Sequence, residues 1–305
     1  MTDHTPAAIG RLCTAMITPF RADGAVDLDA TAELARALVA SGTESIVATG
    51  STGEAATLND EETVEVWRAI KTAVGGDVAV VAGATNNDTA RSIALSQEAE
   101  RLALDAVLLT VPAYNKPTQA GLIAHFSAIA DATSLPGMLY NVPSRTALNM
   151  TAETTLELAA HPRICGIKEA SGDLAQIAAI IDGAPRGFRV WSGNDGDTLP
   201  VLSLGGHGVV SVAGHLVGAQ IREMISACVA GSNETAAGLH YRLTPLIDAL
   251  FCESNPTPLK FALNEVGFPV GDPRMPLLPA TEAARATIRA ALARTEVDLP
   301  VPAKI

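Results

Sequence analysis

Ile164-Cys165-Gly166-Ile167-Lys168-Glu169-Ala170-Ser171 is a short apolar run that ends in a turn. Its length and its branched side chains read as a buried strand with a lysine at the far end. Seven further runs share this character: Cys13–Thr18, Ser45–Thr49, Val78–Ala82, Ala106–Val111, Gly137–Asn141, Phe188–Ser192 and Gly208–Ala213. Amphipathic stretches that read as helices lie between them, among them Asp60–Val74, Thr89–Leu104 and Thr118–Ala132. In the first, Val64, Trp67, Ile70 and Val74 recur at helical spacing, and Asn59-Asp60-Glu61-Glu62 supplies a cap and negative charge at the positive end of the dipole. Eight strand–helix units of about 25–30 residues predict an α/β chain folded as a (β/α)8 TIM barrel. A doubly wound open sheet is the alternative, but no G-x-G-x-x-G follows the first strand.

The alternation stops near residue 230. Glu234–Phe251, Pro258–Val266 and Thr281–Arg294 read as helices, separated by Asn255-Pro256-Thr257-Pro258 and by the Gly/Pro-rich Gly267–Pro279. The expected organisation is a catalytic barrel over 1–230 and a C-terminal helical appendage over 231–305.

Lys168 is one of five lysines, and the other four lie in contexts that look exposed or loop-like. An amine at the end of a buried strand is costly unless it has a role. Desolvation favours the neutral amine, which is a nucleophile able to form a Schiff base with a carbonyl compound. The same placement also suits a lysine snorkelling to the surface or paired with a structural carboxylate. In a barrel, working residues sit at the C-terminal ends of the strands, and those positions hold a coherent set. Gly50-Ser51-Thr52-Gly53-Glu54 follows the second strand, with hydroxyls and N–H groups suited to a carboxylate, although such clusters are also ordinary turns. Tyr114 follows the fourth strand and Tyr140 ends the fifth, beside Lys168 on the sixth. A phenol next to an amine can move the protons that imine chemistry requires, or can be a core residue. Arg145 lies just beyond the fifth strand and can clamp a carboxylate or serve as a solvated loop charge. Gly193 and Val210, on the Gly-rich edges of the seventh and eighth strands, offer backbone groups to a small keto acid.

A net charge of −12 argues against nucleic acid or an anionic membrane as partner. The four cysteines form no C-x-x-C pair, and Met1-Thr2-Asp3-His4-Thr5-Pro6 carries no leader pattern. A cytoplasmic protein with reduced thiols is expected. The six histidines form no metal-ligand spacing, and no phosphate loop is present, so no metal and no cofactor is expected. His215 lies near the predicted mouth and is expected to be structural.

Gly50–Glu54, Tyr114-Asn115-Lys116-Pro117, Tyr140-Asn141-Val142-Pro143-Ser144-Arg145-Thr146, Gly166–Asp173, Ser192–Asp195 and Asn255–Lys260 follow one another in an order that resembles the dihydrodipicolinate synthase / N-acetylneuraminate lyase family of class I aldolases. The resemblance runs over essentially the whole chain. It implies a pyruvate Schiff base on Lys168 and Tyr140 as proton donor and acceptor. Thr52 and the backbone near Val210 would hold the pyruvate carboxylate. Ser51 would link Tyr140 to Tyr114 of a neighbouring subunit, which implies a homotetramer built as a dimer of dimers. Arg145 points to the synthase branch, in which pyruvate condenses with L-aspartate-4-semialdehyde to 4-hydroxy-tetrahydrodipicolinate, on the way to diaminopimelate and lysine. Gly-Ser-Thr-Gly-Glu is also common in the lyase branch, so cleavage of a sugar-derived 2-keto acid, or a non-catalytic binding barrel, stays open. Ser51 stands where the relay usually has threonine. Ala113 stands where an aromatic often precedes the relay tyrosine, which implies a weaker or repacked tight dimer. With Ala55, Asp60, Thr63 and Arg91 also changed and only Asn87 fitting, the feedback pocket of lysine-inhibited relatives is altered, and insensitivity to lysine is expected.

Overall fold

Eight parallel strands close into one barrel in sequence order: β1 (Leu12–Ala15), β2 (Ser45–Ala48), β3 (Ala79–Ala82), β4 (Ala106–Thr110), β5 (Gly137–Asn141), β6 (Ile164–Glu169), β7 (Arg189–Ser192) and β8 (Gly208–Ser211). The computed structural model describes residues 8–85 and 87–302; the N-terminal stretch read above and Lys304 lie outside them. The strands are short and apolar because both of their faces are buried. Along β4, Ala106 and Leu108 enter the barrel interior, whereas Val107 and Leu109 pack into the shell between barrel and helices. On β6 Ile167 faces that shell, so its neighbour Lys168 points inward. Lys168 is in register with Tyr140 on one side and Trp191 on the other.

The helix Asp60–Val74 begins as its sequence predicts, with a reciprocal capping box between Asn59 and Glu62. Its apolar stripe is shifted slightly: Val66, Trp67, Ile70 and Val74 are buried, and Val64 is only partly so. The Trp67 indole donates to Thr49 Oγ1 at 2.7 Å, which ties the helix to the end of β2. The next helix ends at Arg101 rather than Leu104, because Ala103 takes a left-handed φ of 53° and turns Leu104 into the core. Pro143–Thr146, expected as loop, forms a single helical turn with proline at its start.

After the helix Gly214–Val229, the helices Asn233–Leu250, Thr257–Glu265 and Glu282–Leu292 follow. Their buried residues, such as Leu243, Leu246, Leu263 and Ile288, belong to the same apolar cluster as the barrel's outer shell. No helix among the described residues is long and apolar enough to cross a membrane.

Candidate active site

The parallel barrel brings the C-terminal ends of all eight strands to one rim, and β5 and β6 are neighbours there. Tyr140 and Lys168 are both buried, at 4% and 5% exposure. Lys168 Nζ lies 4.2 Å from the centre of the Tyr140 ring. Lys168 stands one residue inside its strand rather than at the very end, since β6 runs on to Glu169. It neither snorkels nor forms an ion pair with any carboxylate among the described residues. Glu169 turns the other way: its carboxylate accepts from Asn141 Nδ2 at 3.1 Å, Ser171 N at 2.7 Å and Gln176 Nε2 at 3.2 Å. Burial raises the Glu169 carboxyl above the usual range, and these donors pull it partly back. Asp195, fully buried, accepts from Ser211 Oγ and from Val212 N at 2.9 Å. Burial raises its pKa as well, and the charge of Lys168 is among the influences that lower it. Asp195 thus holds the turn after β8 while contributing negative potential near the amine.

The other residues read from the sequence are placed as follows. Gly193 lies against the lysine stem: a Cβ there would stand 3.2 Å from Lys168 Cε and 2.6 Å from Ala170 Cβ. Glycine at this point leaves the channel that the lysine occupies. Val210 is buried in the barrel interior on β8. Thr52 is buried, and its Oγ1 accepts from Asn255 Nδ2 at 2.9 Å. Arg145 is exposed and donates to the Asn255 carbonyl at 3.2 Å. Ser51 is half-buried and its hydroxyl makes no hydrogen bond to another described residue, so within one chain it does not join Tyr140 to Tyr114. Tyr114 is 93% exposed and has a left-handed φ of 69°. A cleft of about 600 Å³ is lined by Ser51, Thr110, Val142, Arg145 and Asn255 among others, and Thr110 is in register with Tyr140. A second cleft, about 470 Å³, lies at the opposite end of the barrel around Arg163, Cys165 and Arg189, remote from this rim.

Two features were not legible in the sequence. Asn255 bonds both Thr52 and Arg145, yet it belongs to the C-terminal segment; its place beside prolines in a recurring motif was the only signal. Lys260, expected to be exposed, is instead 1% exposed and ion-paired to Glu54 at 2.6 Å. The helix that carries it lies against the barrel mouth, which its own sequence does not reveal. Among the described residues no group of three or more His, Cys, Asp and Glu is placed to hold a metal ion.

His215 has the structural place expected of it. Its Nδ1 faces the Val212 carbonyl at 2.9 Å, and its Nε2 accepts from Ile17 N at 3.2 Å. Both nitrogens are used by backbone, so the neutral ring is favoured, and burial depresses its pKa to about 4. The unfolded chain, with an ordinary histidine, binds the proton first. Stability from this residue is therefore complete above pH 6.5 and is lost as pH falls from there toward 4, by about 3 kcal/mol in all. Urea midpoints at pH 7 and pH 4.5 should differ accordingly, and the difference should shrink in His215→Asn.

Fold and rim together define the class: a (β/α)8-barrel lyase. The chain belongs to the Dihydrodipicolinate synthetase family, which residues 8–295 match. It is 50% identical over 293 residues to a 4-hydroxy-tetrahydrodipicolinate synthase of Dehalococcoides mccartyi, covering 96% of this chain and 99% of that one. Its fold is similar to a lysine-bound dihydrodipicolinate synthase of Cyanidioschyzon merolae, with a TM-score of 0.93 and 46% identity over 94% of this chain and 98% of that one. A dihydrodipicolinate synthase of Bacillus anthracis is equally similar in fold, with a TM-score of 0.93, 42% identity, and coverage of 95% and 99%.

Proposed function

We propose that this chain condenses pyruvate with L-aspartate-4-semialdehyde to 4-hydroxy-tetrahydrodipicolinate, through a Schiff base on Lys168, in cytoplasmic diaminopimelate and lysine biosynthesis. The observation that carries the reading is an amine buried at a barrel rim, 4.2 Å from a tyrosine ring and unpaired with any carboxylate among the described residues. The names of relatives that cover nearly the whole chain support it. Lys168 Nζ, when neutral, adds to C2 of pyruvate, and loss of water gives the imine. Loss of a C3 proton gives an enamine, whose C3 attacks the aldehyde carbon. The substrate's own amine then displaces Lys168 from C2 and closes the ring. Tyr140 carries the protons these steps release and consume. Thr52, Gly193 and the backbone at Val210 hold the keto acid, and Arg145 meets the carboxylate of the aldehyde.

The Tyr114 side chain makes no hydrogen bond to another described residue, and its exposed ring on a strained loop suits a group that completes a neighbour's site. We assign it to a relay with the free hydroxyl of Ser51 across a dimer, two dimers forming the homotetramer. The barrel of 1–230 supplies the chemistry, and 231–305 closes its mouth. Incubation with pyruvate and borohydride, followed by peptide mass analysis, tests the reading: a reduced adduct on Lys168 is expected, and no adduct anywhere would remove the imine.

Arg145→Ala should raise the KM for the semialdehyde about 10–100-fold, the worth of a charge-assisted hydrogen bond, and leave pyruvate trapping unchanged. Equal damage to both steps would make Arg145 structural. The expected insensitivity to lysine is supported by the pairing of Arg91 and Asp60. Arg91 does not present a free charge, because it pairs with Asp60 at 2.6 Å. Asp60 is thereby engaged by Arg91 rather than open to a ligand ammonium. Turnover in millimolar lysine should stay within about twofold of the control, since no strong coupling between sites is available.

A further inference from the structure

We infer that Lys260 is a positioning residue for the site: through Glu54 it fixes the turn Gly50–Gly53, so that the C-terminal helices set the grip on the keto acid. The inference rests on the function proposed above. Glu54 directly follows the turn and has a left-handed φ of 57°, a conformation that a non-glycine residue keeps only when its surroundings enforce it. The enforcing contacts come from the end of the chain. Lys260 Nζ meets Glu54 Oε1 at 2.6 Å, and the backbone N–H of Arg274 donates to Glu54 Oε2 at 2.9 Å. One carboxylate oxygen is thus held by an ion pair and the other by a backbone hydrogen bond, both from C-terminal residues. The ammonium is fully engaged as well: it donates to the Asp272 carbonyl at 3.3 Å and sits 4.0 Å from the centre of the Phe20 ring. Arg274 covers the same ring at 4.4 Å and is anchored on Glu62. Five residues before Lys260, Asn255 reaches Thr52 itself. One stretch of chain therefore holds the turn at two points, Thr52 and Glu54.

A structural role alone accounts poorly for this arrangement. The two side chains are 1% and 2% exposed, and a buried ion pair is a weak source of stability compared with apolar residues of the same volume. What it supplies is direction, because the carboxylate can satisfy its charge only where the ammonium is. A turn held that way cannot drift, and a drift of an ångström in a substrate-holding group costs orders of magnitude.

The test compares wild type with Lys260→Met and with the neutral pair Glu54→Gln/Lys260→Met, which leaves no unpaired charge and so guards against simple unfolding. Half-saturation by pyruvate is read twice, in steady-state turnover and in borohydride trapping at Lys168, beside the melting temperature. The double variant is expected to melt close to wild type, to need about tenfold more pyruvate in both assays, and to keep kcat at saturation within about threefold. A double variant with wild-type half-saturation overturns the inference, and so does one that changes only the melting temperature. Absence of any adduct in wild type would instead overturn the Schiff-base reading, so the two failures are distinguishable.

Discussion

Lys168→Met is expected to abolish condensation and the borohydride-trapped pyruvate adduct together, while the protein stays folded and becomes no less stable. The first part follows from chemistry, because the proposed imine nitrogen is that of Lys168, and the other buried amine near this rim, Lys260, is held in an ion pair with Glu54. The second part follows from burial. An amine 5% exposed and without an ion pair among the described residues is a stability liability, held against the cost of desolvating its charged form. The Tyr140 face, 4.2 Å away, offsets part of that cost. Methionine has similar length and volume and no charge, so the net change should be a gain of about 1–3 kcal/mol, visible as a higher urea midpoint. A pair of results, no turnover with raised stability, marks a residue kept for its reaction. A variant that loses several kcal/mol would show that Lys168 holds the barrel together, and residual turnover near the wild-type rate would end the imine mechanism.

The contrast with Lys260 explains what could and could not be read from the sequence. Both lysines are buried, but Lys260 is ion-paired to Glu54 and Lys168 has no such partner among the described residues. Lys168 was recognisable because its setting is local: it stands at the end of a short apolar run before a turn, and the preceding strand places Tyr140 beside it. The eight strands were legible for the same reason, since each run is apolar on both faces and flanked by turn residues. Ends were less certain, and the shifts at Ala103 and Glu169 reflect single backbone angles and one further pairing. Lys260 and Asn255 depend on a segment folding back from the far end of the chain across the mouth of the barrel. Nothing in Asn255-Pro256-Thr257-Pro258-Leu259-Lys260 states where its helix docks. Tyr114 marks a further limit: its ring is exposed on a loop with a left-handed φ, and the relay proposed for it needs a second subunit, which one chain's sequence does not describe.

Tyr140→Phe is expected to lower kcat about 10²–10⁴-fold, the usual contribution of a positioned proton carrier, with little change in stability or in half-saturation by pyruvate. The ring is retained, and with it its place in the interior apolar cluster that includes Met138 and Trp191. The hydroxyl makes no hydrogen bond to another described residue, so its removal leaves no orphaned partner in the core. Phenylalanine also preserves most of the attraction between ring face and ammonium, which keeps the amine where it is. What disappears, in the proposed mechanism, is the group that gives a proton to the departing hydroxyl when the carbinolamine dehydrates and takes one when C3 is deprotonated. The adduct should therefore still form with pyruvate and borohydride, but slowly, and should reach the wild-type extent at long times. Single-turnover trapping separates this from a binding defect, because the observed rate at saturating pyruvate falls while the half-saturating concentration does not. Turnover within about threefold of wild type would mean that water or Tyr114 carries the protons, and Tyr140 would then act only as the aromatic surface on which Lys168 rests.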